Sequence, residues 1–162
     1  MVQIYTLSRP ERVKKGISIS GALSVKREGE RVPAMIKIFL PEALFPTKKN
    51  VKKLIEKLCG ENVAVFMENS DIMEHYTYLL KGFNNMSMGY HKVRTFNEEE
   101  VDIIREKVEF LVGLEDPFEK LGGEDALRRT HMKVTFYENA GHGLNHERAE
   151  EINAKIVEIL AE

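Results

Sequence analysis

The sequence predicts an α/β protein of three layers built on a short, mostly parallel sheet. Two runs carry that prediction: Lys107-Val108-Glu109-Phe110-Leu111-Val112-Gly113 and Lys133-Val134-Thr135-Phe136-Tyr137 are β-branched and aromatic and have the length of strands. Each is followed by a short loop and a helix-compatible segment, around residues 125–128 for the first and from about residue 149 for the second. Successive strand, loop, helix units return the chain parallel to itself, so the two runs are expected to be neighbours in one sheet.

Composition sets the outer limits. A chain of 162 residues, 43% apolar and 31% charged, suffices for one globular domain with a sizeable core and is cramped for two. Its 24 basic and 26 acidic residues leave a formal charge of −2, which offers no electrostatic reason to expect nucleic acid or an anionic membrane as partner. A single cysteine, Cys59, excludes an internal disulfide and fits a reducing compartment. There is no apolar run of membrane-spanning length and no signal-peptide pattern, so a cytoplasmic protein is expected.

Taken in order, Val2, Tyr5 and Leu7 fall on one side of a short helix that Arg9-Pro10-Glu11-Arg12-Val13 turns out of. A strand is expected near residues 17–22, with apolar residues at alternate positions. The pattern then changes. Pro33, Pro41 and Pro46 punctuate the next segment, and Lys26-Arg27-Glu28-Gly29-Glu30 reads as an exposed turn. Thr47 is the expected cap of a helix with Val51, Leu54, Ile55 and Leu58 on one face, ended by Gly60. A second helix is expected over residues 71–83, with Ile72, Tyr76, Leu79, Leu80 and Phe83 as its stripe, before a soft apolar stretch at Met86, Met88 and Tyr90. Asn97-Glu98-Glu99-Glu100 has the spacing of a capping box and opens a helix carrying Val101, Ile104 and Val108. The last helix places Ala149, Ile152, Ile156 and Ile159 on one face, with Asn145 as expected N-cap and Glu150 and Glu151 in its early turns.

The chemistry concentrates in the loops after the two later strands. Gly113-Leu114-Glu115-Asp116-Pro117 puts a carboxylate just past the first, and Ala140-Gly141-His142-Gly143 puts a histidine between glycines past the second. Open parallel sheets bind ligands beyond the carboxyl ends of their strands, although a lone histidine there also fits an ordinary surface loop. Because the two loops are expected to be neighbours, Asp116 can reach the imidazole of His142. A carboxylate bonded to one ring nitrogen holds the tautomer and stabilises the imidazolium.

These two turns, in the order acid then histidine, resemble those of the α/β-hydrolases. The Pro-Glu-Arg-Val turn and the strand ending in Ser20-Gly21-Ala22 are similar to the segment after that family's nucleophile-bearing helix. The resemblance implies a partial α/β-hydrolase fold, its C-terminal half, with residues 1–23 and 95–162 as core and 24–94 as an inserted helical cap or lid. It implies ester, amide or related acyl hydrolysis without metal or cofactor, Asp116 as orienting acid and His142 as general base. The cap would set a substrate that the sequence does not identify.

A triad also needs a nucleophile on a sharp strand-to-helix turn. Ser87, in Asn85-Met86-Ser87-Met88-Gly89, has the right order but follows a helical segment and has Asn85 where a glycine is wanted, so it is a weak candidate. Ser18 and Ser20 are expected to lie within a strand, and Cys59 to be a small apolar residue at a helix end. The chain is therefore expected to hold acid and base without their nucleophile elbow and to be inactive alone or half of a split enzyme. Its first strand then presents an unsatisfied edge, to be covered by a homodimer partner or a separate N-terminal hydrolase half. A non-catalytic binding or self-associating module is the alternative.

A metal site at His142, His146 and Glu147 is the rival chemistry, but Gly141 and Gly143 argue for a loop, and the glutamate lies outside the histidine pair. His146 is expected at the surface near a helix start, and His75, His91 and His131 have no ligand-like spacing. Leu121-Gly122-Gly123-Glu124 lacks the lysine and hydroxyl of a phosphate loop.

Overall fold

In a computed structural model, which describes residues 1–25, 38–39, 42, 45–82 and 94–161, the chain opens with α1 (Val2–Ser8) and reaches strand β1 (Gly16–Ile19) through a single 3-10 turn at Pro10–Arg12. Helices α2 (Lys48–Leu58), α3 (Ala64–Met67) and α4 (Ser70–Gly82) follow. The sheet resumes with α5 (Glu98–Lys107), β2 (Val108–Gly113), α6 (Glu124–Arg129) and β3 (Lys133–Tyr137), and the chain ends in α7 (Leu144–Glu147) and α8 (Ala149–Ala161). Ser87, Met86, Met88, Tyr90, Phe83, His91, Pro33, Pro41 and the Lys26 to Glu30 turn lie outside the described residues.

The sheet is parallel throughout, in the order β1-β2-β3, with Ile17 opposite Glu109 and Val112 opposite Phe136. The central strand β2 is buried almost from end to end, which is why it reads as a near-continuous apolar run rather than an alternating one. Its side chains divide between two helical layers. Val108, Phe110 and Val112 point into a cluster with Leu23, Val101, Ile104 and Leu127, while Leu111 points into another with Tyr137, Leu144, Ile152 and Ile159. The buried isoleucines dock α8 on the sheet, each stabilising by about 1.5–3 kcal/mol. Helices α2, α3 and α4 share a third cluster of their own around Val51, Ile55 and Phe66.

The local start signals act as the sequence predicts. The Thr47 hydroxyl accepts from the Asn50 N–H, and Asn97 and Glu100 form a complete capping box. Several expectations need correction. β1 stops at Ile19 because Ser20 turns into the left-handed region at φ 50°, so Ser20 lies past the strand rather than within it. In α1 the buried residue is Thr6, while Val2 and Tyr5 are exposed. In α4, Met73 joins the packed stripe and Leu79 faces solvent, and Val108 belongs to β2 rather than to the helix before it. Asn145 is not the cap of the last helix: it sits inside the single turn α7, and Arg148, at φ −133°, breaks the chain before α8, whose first residue Ala149 is exposed. Among the described residues, no helix is long and apolar enough to cross a membrane.

Candidate functional site

The carboxyl ends of β2 and β3 deliver the acid and the histidine to the same place. The Leu114 N–H donates to the Tyr137 carbonyl, and the Glu115 N–H to the Ala140 carbonyl, both at 2.9 Å, so the turn after β2 is laced backbone to backbone to the loop after β3. Asp116 then folds back in a small turn in which its Oδ1 accepts the Phe118 N–H at 2.9 Å. Its Oδ2 lies 2.9 Å from Nδ1 of His142. A carboxylate only accepts, so Nδ1 carries the proton and Nε2 is the basic nitrogen.

Burial differs between the two side chains. The Asp116 side chain is only 7% exposed, whereas that of His142 is 36% exposed. The Phe118 ring packs on the imidazole at 4.4 Å between centroids, covering one side of it. Among the described residues, Nε2 makes no hydrogen bond, and the side chain that carries it is partly exposed. The arrangement can take a proton at Nε2 while the carboxylate steadies the cation that forms.

The histidine loop is held from the other side by the end of α2. The His142 N–H donates to the Leu58 carbonyl at 2.6 Å. Gly141 is required by this contact, since a Cβ there would come within 2.6 Å of the Gly60 nitrogen. Glu147, which the sequence offers only as a metal ligand, is a buried carboxylate, 7% exposed, that accepts N–H bonds from Gly60 at 2.9 Å and Gly141 at 3.0 Å. No local pattern marks this role, because its partner Gly60 lies 87 residues away in sequence.

His146, expected at the surface, is instead half-buried edge-on against Phe66 at 5.1 Å. His142, His146 and Glu147 thus engage three different partners, and among the described residues no cluster of three His, Cys, Asp or Glu groups is placed to hold a metal. Cys59, beside the same loop, has its thiol pushed up to about 12, first by burial and then by the nearby Glu147 charge, which makes it a poor nucleophile at neutral pH. Ser20 lines a small cavity of about 40 Å³ together with Asp116 and Phe118, and its buried hydroxyl has no hydrogen-bond partner among the described residues.

Among the described residues, the three-stranded parallel sheet and the helices packed on it have the fold of part of an α/β-hydrolase. Among solved structures, the chain is similar to the naproxen esterase of Bacillus subtilis, with a TM-score of 0.73 at 18% identity, covering 98% of this chain and 55% of the esterase. It is similar also to carboxylesterase CesB of Bacillus subtilis, with a TM-score of 0.65 at 18% identity over the same shares of the two chains. A 2-hydroxy-6-oxo-6-phenylhexa-2,4-dienoate hydrolase from Rhodococcus aligns at a TM-score of 0.58 and 11% identity, covering 97% of this chain and 58% of that one. The chain therefore spans little more than half the length of these hydrolases. No protein-family model and no curated protein matches it.

Proposed function

We propose that this chain supplies the acid and the base of an acyl-hydrolase site, Asp116 orienting and His142 acting as general base, in an ester- or amide-cleaving reaction that uses no metal or cofactor. The observation that carries the reading is the 2.9 Å bond between a buried Asp116 oxygen and Nδ1 of a partly exposed imidazole whose other nitrogen, among the described residues, makes no hydrogen bond. That geometry is the base half of a Ser-His-Asp system.

In this reading, residues 1–23 and 95–162 are the C-terminal portion of a hydrolase core, and α2 to α4 belong to a cap over residues 24–94. The nucleophile comes from a companion segment whose strand pairs with β1, which is hydrogen-bonded on one side only, to β2, among the described residues. A second copy of this chain is the other partner that such an edge accommodates. Neither Ser20, with no bond to the imidazole, nor Cys59, with its raised thiol, acts as nucleophile. The unpaired Cys59 is consistent with a cytoplasmic, reducing setting. If the edge is filled by a copy rather than by a nucleophile-bearing segment, the chain is a self-associating binding module.

Labelling with a serine-directed fluorophosphonate, on the purified chain alone and on the chain mixed with lysate of its source, tests this reading. The expected result is no label on the chain alone and a labelled partner that co-purifies with it. Label on this chain would overturn the companion nucleophile and direct mapping to Ser87 first. No label in either sample would overturn the catalytic reading in favour of the binding module.

A further inference from the structure

Among the described residues Glu147 has no ion-pair partner, and its carboxylate is nevertheless engaged by backbone donors. Its Oε2 accepts the Gly60 N–H at 2.9 Å and the Gly141 N–H at 3.0 Å, and Oε1 approaches the same Gly141 N–H at 3.2 Å. One of those amides belongs to the segment leaving α2, and the other immediately precedes His142. The remaining link in this closure is the His142 N–H on the Leu58 carbonyl, at 2.6 Å. Residues 58–60 and 141–142 therefore meet across a single side chain that accepts from both.

We propose that Glu147 is a positioning residue for His142: by holding the Gly141 and Gly60 amides on one carboxylate, it sets the imidazole against Asp116 and makes that alignment depend on where the end of α2 lies. This rests on the reading of His142 and Asp116 as a catalytic pair. The physical basis is the inventory of hydrogen-bonding groups. An ionised carboxylate presents only acceptors, so both amides can point inward at once, and a charged acceptor binds them more strongly than a neutral one. Withdrawing it leaves the buried Gly141 donor and the partly buried Gly60 donor without their acceptor, and the loop must rotate to satisfy them. Since Gly141 immediately precedes His142, that rotation swings the imidazole away from Asp116 Oδ2. A displacement of α2 would pull on the same carboxylate and reach the histidine by the same route.

The test reads the histidine rather than turnover. The full chain is labelled with 15N-histidine, and the ring-nitrogen correlation spectrum reports which nitrogen of His142 carries the proton. In the unaltered chain the Nδ1–H tautomer is expected to dominate. Glu147→Ala should lower the ratio of Nδ1–H to Nε2–H by at least about two-fold, because the imidazole no longer has its carboxylate to dictate the tautomer. Glu147→Gln, which keeps one acceptor oxygen and the side-chain length, should fall between the two, and Glu147→Asp should not restore the ratio because its carboxylate cannot span both amides. Backbone amide spectra of the same samples establish that each variant is folded. A wild-type ratio in folded Glu147→Ala or Glu147→Gln would overturn the proposal, and so would loss of fold in both, which would make Glu147 structural only. Asp116→Asn distinguishes the two readings. If it leaves the tautomer unchanged, the Asp116–His142 pair itself fails; if it shifts the tautomer while the folded Glu147 variants do not, only the positioning role fails.

Discussion

Gly113, the last residue of β2, lies against the carbonyl of Ala140, the residue that opens the histidine turn, so closely that a methyl group on Gly113 would overlap it and come within 2.6 Å of the Gly141 oxygen. The approach lets the Glu115 N–H reach the Ala140 carbonyl, and with it brings Asp116 beneath His142. Gly113→Ala should therefore lower stability by about 1–3 kcal/mol through overpacking that neither backbone can easily relieve. In urea unfolding, an unchanged midpoint would show that the two turns are not so tightly apposed.

Asp116→Asn and His142→Ala separate orientation from proton transfer. The asparagine oxygen can still accept from Phe118, but its amide then faces Nδ1 and imposes the wrong tautomer. In an assembly that hydrolyses esters, turnover should fall on the order of 10⁴-fold. His142→Ala should abolish it. Because Asp116 is buried, removing the imidazole leaves one carboxylate oxygen unpaired, and we expect a loss of about 1–3 kcal/mol in stability. Ester turnover unchanged by His142→Ala would remove the imidazole from the chemistry.

Cys59 provides the pH dependence. Burial raises its thiol from an ordinary value of 9.0 to about 12 in the folded protein. The folded state thus holds the proton more tightly than the unfolded chain does, so the stabilisation from the neutral thiol is complete below pH 9 and is lost as pH rises towards 12. Urea midpoints measured across that range should fall more steeply for the wild type than for Cys59→Ala. Alkylation by iodoacetamide at pH 8 should be slow in the folded protein and fast in urea; rapid labelling of the folded chain would contradict the raised, partly buried thiol.

Among the described residues β1 is paired on one side only, and its other side should be an association surface. Beside it lies a cavity of about 620 Å³ lined by Tyr5, Arg12, Ile17 and Leu160, with Tyr5 49% and Leu160 63% exposed. Apolar surface next to an unpaired strand edge favours a partner. Sedimentation at increasing concentration should show self-association, or binding of the companion segment where that is supplied. The double variant Tyr5→Lys, Leu160→Lys should weaken either by about ten-fold or more, the equivalent of roughly 1.4 kcal/mol. A chain that stays monomeric at high concentration and takes up no companion would count against this surface.

Much of this was legible in the chain itself because it depends on near neighbours. The run at Val108 to Val112 declares a buried strand, Asn97 with Glu100 declares a helix start, and the order of Asp116 and His142 on successive units places both at one edge of a parallel sheet. Ser20 departs from its expected place for a local reason: alternation continues past Ile19, and only the turn to positive φ ends the strand. Asn145 has the chemistry of a cap, but it already lies inside α7, and the non-helical Arg148 separates α7 from α8.

What the sequence by itself determined is the order of elements, the parallel sheet and the identity of the two side chains that meet, since strand periodicity, caps and loop position are properties of contiguous residues. Only the tertiary structure decided that the end of α2 grips the histidine turn and that Glu147 joins them. Those bonds link residues 87 and 84 positions apart, by Glu147 to Gly60 and by His142 to Leu58, and each forms only when packing has already brought the backbones within hydrogen-bonding distance and excluded the water that would otherwise satisfy them.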